Sequence, residues 1–386
     1  MTGPTKLPAG FRSHVANLGV KDDTDDLAVV ASDVPCAAAG VFTRSRFAGP
    51  SVDLARAAVA DGRLRATVVV SKNANVATGA AGRADAEELQ RRVAARVGCE
   101  PDEVAITSTG VIGRRYPMDR MRTRLDAVPQ PLPGDDALAV ATAMMTTDTH
   151  PKVERATAGA ATVVGVAKGV GMIEPDMATM LTMIYTDAEM DAADLDAMFR
   201  RVVARTFNSL SVDTDTSTSD SAIVLANGLA GPVDAAELES ALEWVCVGLT
   251  RQLAADGEGA TKLLLVDVTG ARDDDQARRV AKVIVNSPLV KTAVHGADPN
   301  WGRVVMAIGK CSDDTDLDPD RITVRFGEAE VYPTEAGDDQ LAALESYLAG
   351  DEVLITADLG LGGAAWRVYG CDLSDGYVRI NADYTT

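Results

Sequence analysis

Hydrophobic patterning along the chain predicts amphipathic helices alternating with short, almost wholly apolar strands. Helices are predicted at residues 53–60, 84–97, 192–206, 235–255, 274–285, 301–308 and 338–349, and a further helix is predicted to end at 137–145. Strands are predicted within 27–42 and at 66–71, 104–107, 180–185, 222–225, 263–269, 321–326, 329–332, 353–358 and 364–371. Strands without polar alternation are typical of sheets covered on both faces. The pattern therefore predicts an α/β fold of layered sheets covered by helices.

The element order predicts two units. Residues 1–257 are expected to form a main α/β domain. From residue 258 onward, shorter strands and helices follow one another in the order of a small α+β domain, predicted to span 258–386.

Composition narrows the class of protein. The 386 residues are 46% hydrophobic and carry a formal net charge of −20, which argues against nucleic acid as a partner because phosphate binding needs clustered lysine and arginine. No apolar run is long enough to span a membrane, and the first residues lack a signal-peptide core. We therefore expect a cytoplasmic protein that binds no membrane.

Cysteine and histidine offer little chemistry. The five cysteines are scattered without a CxxC pair, so neither disulfides nor a zinc site are expected. His14, His150 and His295 leave few candidates for histidine-based catalysis. The run from Asp213 to Asp220 alternates carboxylates and hydroxyls but lacks the glycine and final glutamate of a calcium loop, so it predicts a polar loop facing an active site and no metal.

The stretch from Lys168 to Asp187 carries the strongest signal. A glycine-rich segment passes through Pro175 to Ala178 and Thr179, and the chain then becomes a buried strand. If the peptide between Ala178 and Thr179 were cut, Thr179 would hold a hydroxyl nucleophile and an α-amine with a pKa of about 8.

These residues resemble a known family. The motif Lys-Gly-x-Gly-Met-x-x-Pro-x-Met-Ala-Thr-Met-Leu, beginning at Lys168, is similar to the self-cleavage segment of the ornithine acetyltransferases, also called glutamate N-acetyltransferases. The resemblance implies cleavage into an α chain of residues 1–178 and a β chain of 179–386, a layered αββα self-processing fold, an α2β2 assembly and no cofactor. The segment Arg44-Ser-Arg-Phe-Ala-Gly-Pro50 is also similar to the actinomycete copies in natural-product clusters such as that for clavulanic acid.

Further site residues are predicted from smaller signals. Thr109 and Gly110 place a hydroxyl and an amide at a strand end, as an oxyanion hole requires, although the same pair is common in turns. The resemblance assigns them that role, and it favours Thr146 as a substrate contact, with Thr147 as the alternative.

Charged and C-terminal residues complete the predicted site. Lys168 suits an offsetting charge for a substrate carboxylate or for the developing oxyanion. Glu258 lies between two glycines, as a ligand-binding carboxylate or a simple turn residue would, and the resemblance favours binding of the substrate amine. The resemblance also matches Asn381, expected to follow a short strand, and Thr386 to substrate-binding positions near the C-terminus.

The predicted reaction moves an acetyl group from N2-acetylornithine to glutamate by a ping-pong mechanism through acetyl-Thr179. One alternative is an N-terminal-threonine amidase or aminopeptidase that passes the acyl group to water. Another is a binding protein that needs no cleavage. Whether the enzyme serves arginine synthesis or a natural-product cluster, and whether acetyl-CoA is also a donor, stays open at this point.

Overall fold

The computed structural model describes residues 5–174, 180–334 and 337–383. The strands are β1 (Phe11–Ala16), β2 (Leu27–Phe42), β3 (Arg63–Val70), β4 (Val104–Ser108), β5 (Lys152–Ala158), β6 (Ala161–Lys168), β7 (Leu181–Glu189), β8 (Leu210–Ser211), β9 (Ser221–Pro232), β10 (Leu263–Ala271), β11 (Thr323–Phe326), β12 (Ala329–Tyr332), β13 (Glu352–Asp358) and β14 (Ala364–Cys371). The α-helices are α1 (Pro50–Ala58), α2 (Gly79–Val97), α3 (Met118–Asp126), α4 (Ala137–Met144), α5 (Ala192–Arg205), α6 (Ala235–Ala255), α7 (Asp274–Val285), α8 (Pro288–His295), α9 (Trp301–Ile308), α10 (Asp338–Leu348) and α11 (Asp375–Asp383).

One long strand organises the first sheet, whose order is β4-β3-β2-β9-β7-β6-β5, with β1 on β2. The 16-residue β2 pairs with β1 and β3 along its first part and with β9 from Ala37 to Phe42. Its pairing with β3 shifts register between Ala31 and Cys36. A bulge of this kind bends a strand, so β2 joins two halves of the sheet.

The two halves pack face to face. The Tyr185 hydroxyl of β7 and the Thr67 hydroxyl of β3 are 2.7 Å apart and hydrogen-bonded, and the Tyr185 ring lies 5.2 Å from that of Phe11 on β1. Buried side chains from both halves form one core between them, including Val69 and Met183.

Helices cover both outer faces of this sandwich. Helices α2 and α3 pack on the half formed by β1, β3, β4 and the start of β2, whereas α5 and α6 pack on the other half. The layers are therefore helix, sheet, sheet and helix, which confirms the predicted αββα class. Covering on both faces explains why every residue of β7 from Leu181 to Ala188 is buried and why the strand shows no polar alternation.

A second sheet follows, in the order β12-β11-β13-β10-β14-β8. Alternate residues of β10 face opposite ways: Leu264 packs among α7 to α10, whereas Leu265 packs in the core that contains α6. Strand β8 lies before residue 257 but pairs in parallel with β14, so this sheet takes one strand from the earlier part of the chain. The boundary at 257/258 stays a prediction.

The C-terminal prediction needs correction, because Asn381 does not follow a strand. Residues Asp375–Asp383 form the helix α11, with an ion pair of 2.6 Å between Arg379 and Asp375 one turn apart. Val378 and Ile380 are exposed, and no described strand lies beside them, so their alternation does not reflect a sheet. Among the helices of the described ranges, none has the length and apolar character needed to cross a membrane.

Candidate active site

Six of the predicted site residues line one cavity of about 90 Å³, namely Thr109, Gly110, Thr146, Lys168, Glu258 and Asn381. Thr147, the alternative to Thr146, lines it as well. The remaining predicted residues, Ala178, Thr179 and Thr386, lie outside the described residues. Met180, which directly follows Thr179 in the chain, is described and buried at the start of β7.

The end of β4 presents Thr109 and Gly110 to the cavity. The Thr109 N–H donates to the Val70 carbonyl at 3.1 Å, which extends the pairing of β3 with β4 by one residue. Gly110 has φ of +127°, and a Cβ there would lie 2.3 Å from the Lys72 carbonyl carbon, so only glycine fits. Among the described residues none accepts a hydrogen bond from the Gly110 N–H or the Thr109 hydroxyl, and both residues line the cavity.

A buried ion cluster supports the opposite wall. Lys152 is fully buried and pairs with Asp148 at 2.8 Å and with Asp256 at 2.5 Å. Asp148 also accepts the backbone N–H groups of Gly169, at 2.7 Å, and Thr146, at 3.1 Å. Burial opposes ionisation of Asp148, but Lys168 and Lys152 outweigh it and lower its pKa to about 2. The ionised carboxylate thus fixes the backbone at Thr146, which lines the cavity, and at Gly169, which lies between the lining residues Lys168 and Val170.

Lys168 is the cation of the cavity wall. It ends β6, its side chain is 4% exposed, and its Nζ lies 3.9 Å from Asp148, which is too long for a hydrogen bond. Burial lowers the pKa of Lys168, and the charges of Asp148 and Glu258 act in the opposite direction. An ammonium group that is buried but incompletely paired is suited to bind an anionic ligand group.

Glu258 lines the same cavity as Lys168, at the junction of three segments. Its N–H donates to the Val170 carbonyl at 2.8 Å. Its carboxylate accepts hydrogen bonds from the Thr147 hydroxyl at 3.3 Å and from Asn381 Nδ2 at 3.0 Å. A Cβ at Gly171 would lie 2.4 Å from Glu258 Oε2, so that glycine makes room for the carboxylate. Such an acceptor suits a ligand ammonium or amine.

The polar loop before β9 reaches the site as predicted. Ser217, Thr218 and Ser219 line the cavity. Asp213, at the start of the loop, accepts the N–H groups of Met172 at 2.6 Å and Ile173 at 2.8 Å, and burial raises its pKa. The loop therefore holds the glycine-rich segment in place.

Sequence reasoning did not identify the cluster of Lys152, Asp148 and Asp256. The only local signal is the spacing of Asp148 and Lys152, four residues apart but outside any helix. Nor do the histidines enter the site: His150 lies 3.5 Å from Asp256, and His295 Nδ1 lies 2.7 Å from Asp372. In the part of the chain that the structure describes, no three His, Cys, Asp or Glu side chains are grouped to hold a metal.

A larger cavity, of about 1,090 Å³, lies beside β2, α1 and α5. None of the predicted site residues lines it, and its walls mix arginine with aspartate side chains such as Arg56 and Asp61. Because the predicted site residues that the structure describes line the smaller cavity, that cavity is the candidate active site.

Comparison with known proteins agrees with the motif. The model of the ArgJ family matches residues 12–386. The glutamate N-acetyltransferase Oat2 of Streptomyces clavuligerus is 57% identical, over 99% of this chain and 98% of its own. The arginine biosynthesis bifunctional protein ArgJ of Rhodococcoides fascians is 54% identical, over 98% of this chain and 94% of its own.

A crystal structure of the arginine biosynthesis bifunctional protein ArgJ from Bacillus halodurans is 40% identical, covers 51% of this chain and 96% of its own, and superposes with a TM-score of 0.48. The expected similarity to actinomycete copies is confirmed by the Streptomyces relative. On the match across residues 12–386 and these relatives, the chain belongs to the ArgJ family.

Proposed function

We propose that this protein is a self-processing glutamate N-acetyltransferase that moves an acetyl group from N2-acetylornithine to glutamate through an acetyl-Thr179 intermediate. The observation that carries the proposal is the meeting of Thr109, Gly110, Lys168 and Glu258 at one cavity. These residues are distant in sequence, and together they offer oxyanion donors, a cation and a carboxylate. The names of the relatives support the same activity.

Maturation begins with Thr179 attacking the Ala178 carbonyl through its hydroxyl oxygen. The peptide bond becomes an ester, which water then hydrolyses. Residues 1–178 and 179–386 stay together, because strands of both pieces pair within one sheet, as β6 does with β7.

Turnover uses the new N-terminus. The α-amine of Thr179 takes the proton from Oγ, which attacks the acetyl carbonyl of N-acetylornithine. Thr109 and Gly110 donate to the oxyanion that forms, a contribution worth about 3 to 4 kcal/mol per donor in well-studied cases. Ornithine leaves, and the amine of glutamate then attacks the acetyl-threonine ester.

The cavity holds the amino-acid part of both substrates. Lys168 pairs with the substrate carboxylate and Glu258 binds its α-ammonium or amine, with Thr146 and Asn381 as polar contacts. Thr147 positions Glu258 by the hydrogen bond described above. We include Thr386 as a further contact, and we expect two cleaved precursors to assemble as α2β2 in the cytoplasm.

Intact mass measured under denaturing conditions tests the proposal. We expect two masses that match residues 1–178 and 179–386, and we expect the larger fragment to gain one acetyl group after brief exposure to N-acetylornithine. A single uncleaved mass from active protein would contradict the assignment of Thr179.

A pair of variants separates the hydroxyl from the rest of the side chain. Thr179→Ser keeps a nucleophile and should still cleave and take up acetyl, whereas Thr179→Ala should do neither.

Steady-state kinetics test the ping-pong mechanism. Initial-rate lines should be parallel when one substrate is varied at fixed levels of the other. Release of acetate that does not depend on glutamate would instead support the hydrolase alternative.

A further inference from the structure

Asp220 is a buried carboxyl group that contacts the residue directly before β7. It ends the polar loop, directly before β9, and its side chain is fully buried. Its Oδ1 accepts the Met180 N–H at 2.9 Å. Its Oδ2 is buried and accepts no hydrogen bond from any of the residues described. The hydroxyl groups of Thr43 and Ser217 lie close to this carboxyl group, and the Thr43 hydroxyl donates at 2.7 Å to the Ser217 carbonyl.

Other buried carboxylates of this sheet region use both oxygens. Asp187, at the far end of β7, accepts the N–H groups of Thr162 at 2.7 Å and Ala9 at 3.1 Å. Asp213, which is only half-buried, likewise accepts two backbone N–H groups with its two oxygens. Leaving a buried polar atom unpaired costs stability, so the free oxygen of Asp220 is an exception that calls for a role.

Asp220 binds the residue that directly follows Thr179 in the chain. Three covalent bonds separate the Met180 nitrogen from the Thr179 nitrogen, which keeps those two atoms within about 4 Å of each other. The carboxyl group therefore binds the N–H of the residue next in the chain to Thr179, whose nitrogen is the leaving group in the cleavage.

Burial also favours the neutral acid. It raises the pKa of Asp220 well above the usual range for a carboxyl group, although the Met180 hydrogen bond, the charge of Lys168 and the nearby hydroxyl groups of Thr43 and Ser217 act in the opposite direction. A carboxyl group whose pKa is raised keeps its proton to a higher pH than usual and therefore has a proton to give.

We propose that Asp220 positions the exit of the cleavage segment through Oδ1 and carries the proton of the self-cleavage reaction on Oδ2. This inference rests on the proposed function. In the step, Thr179 Oγ bonds to the Ala178 carbonyl carbon, and the bond from that carbon to the Thr179 nitrogen breaks. The nitrogen takes the proton of Asp220, and the proton lost by Oγ returns to the carboxylate. Asp220 is therefore regenerated before water hydrolyses the ester.

The test follows conversion of the full chain into its two fragments over time. Asp220→Asn keeps an oxygen that can accept the Met180 N–H but carries no acidic proton, whereas Asp220→Ala loses both functions. We expect both variants to cleave at least about 100-fold more slowly than the unmodified protein, the scale of general acid catalysis. Asp187→Asn, the same change at the far end of β7, should leave the cleavage rate close to that of the unmodified protein.

The outcomes separate this inference from the proposed function. If the unmodified chain does not cleave, or if Thr179→Ala cleaves, the proposed function fails. If the unmodified chain cleaves and Asp220→Asn cleaves at the same rate, only the proton role is overturned, even when Asp220→Ala is slow.

Two further measurements check the fold and the proton transfer. Thermal melting of the uncleaved Asp220→Asn chain should match that of uncleaved Thr179→Ala. Cleavage of the unmodified chain should slow in D2O, and an unchanged rate there would also overturn the proton role.

Discussion

Two buried lysines on neighbouring strands share one carboxylate, and only one of them lines the cavity. Lys152, at the start of β5, is paired with both Asp148 and Asp256 in a closed ion cluster. Lys168, at the end of β6, reaches Asp148 only at 3.9 Å and faces the cavity. Residue type and burial are the same for both, so the degree of pairing is what separates a structural lysine from one available to a ligand.

Lys152→Met tests the structural half of the comparison and should have the largest effect. It leaves Asp148 and Asp256 without their buried cation, a change that typically costs about 3 to 5 kcal/mol. Urea unfolding measures the loss. Lys6→Met removes an exposed pair with Asp135 and should change stability by less than about 1 kcal/mol. If Lys152→Met lost as little unfolding free energy as Lys6→Met, the ion cluster would contribute little to stability.

Lys168→Met tests the functional half. The variant should lose about 100-fold in kcat/KM, close to 3 kcal/mol, because the substrate carboxylate loses its buried partner. Its unfolding free energy should change by less than about 1 kcal/mol, since the ammonium is incompletely paired in the folded protein. Initial rates with varied N-acetylornithine measure the first quantity. Lys168→Arg keeps the charge in a different shape and should retain more activity than Lys168→Met.

The pH dependence of stability tests Asp148, the carboxylate that Lys152 and Lys168 share. Asp148 has a pKa of about 2 in the folded protein, below its usual 3.8, so the folded state favours its ionised form. Its contribution, about 2 kcal/mol at 1.36 kcal/mol per pKa unit, is complete above pH 4 and is lost as pH falls from about 4 towards 2. The gap in unfolding free energy between the unmodified protein and Asp148→Asn should shrink over that interval. A gap that stays constant would contradict the assignment.

Gly171→Ala should have the smallest effect and probes the Glu258 carboxylate, which lines the cavity together with Lys168. The added methyl group would meet the Glu258 carboxylate at 2.4 Å, and the flexible end of that side chain must move. We expect about a tenfold loss of kcat/KM, or 1.4 kcal/mol, with little change in melting temperature. Gly363→Ala, where a methyl group meets open space, is the control and should leave kcat/KM unchanged. Equal effects in the two variants would show that Glu258 need not be held at this position.

Much of the fold follows from the sequence. The wholly apolar run that begins at Met180 predicts a buried strand, and β7 is that strand. Gly98 predicts the end of a helix, and α2 ends there with a left-handed C-cap. Patterning misses the β5–β6 hairpin, because its mixed small and charged residues lack a clear period, and it mistakes α11 for a strand.

Part of the candidate site was predicted because motif residues mark the ends of strands. Thr109, Lys168 and Glu258 are each recognisable from their neighbours, and the structure brings them to one cavity. Their catalytic and binding roles stay predictions that the variants above address. Nothing local marks Asp256 as a partner of Lys152, because the two are separated by more than one hundred residues.

The sequence by itself determined the class of fold, the family and the residue types that the chemistry requires. These depend on local periodicity and on a contiguous motif, both of which are properties of neighbouring positions. Only the tertiary structure decided which buried polar groups are fully paired, as Lys152 is, and which can still pair with a ligand or a reacting group, as Lys168 and Asp220 can. Hydrogen-bond pairing in the interior depends on contacts between distant segments, and a buried group without a partner acquires its reactivity from that environment.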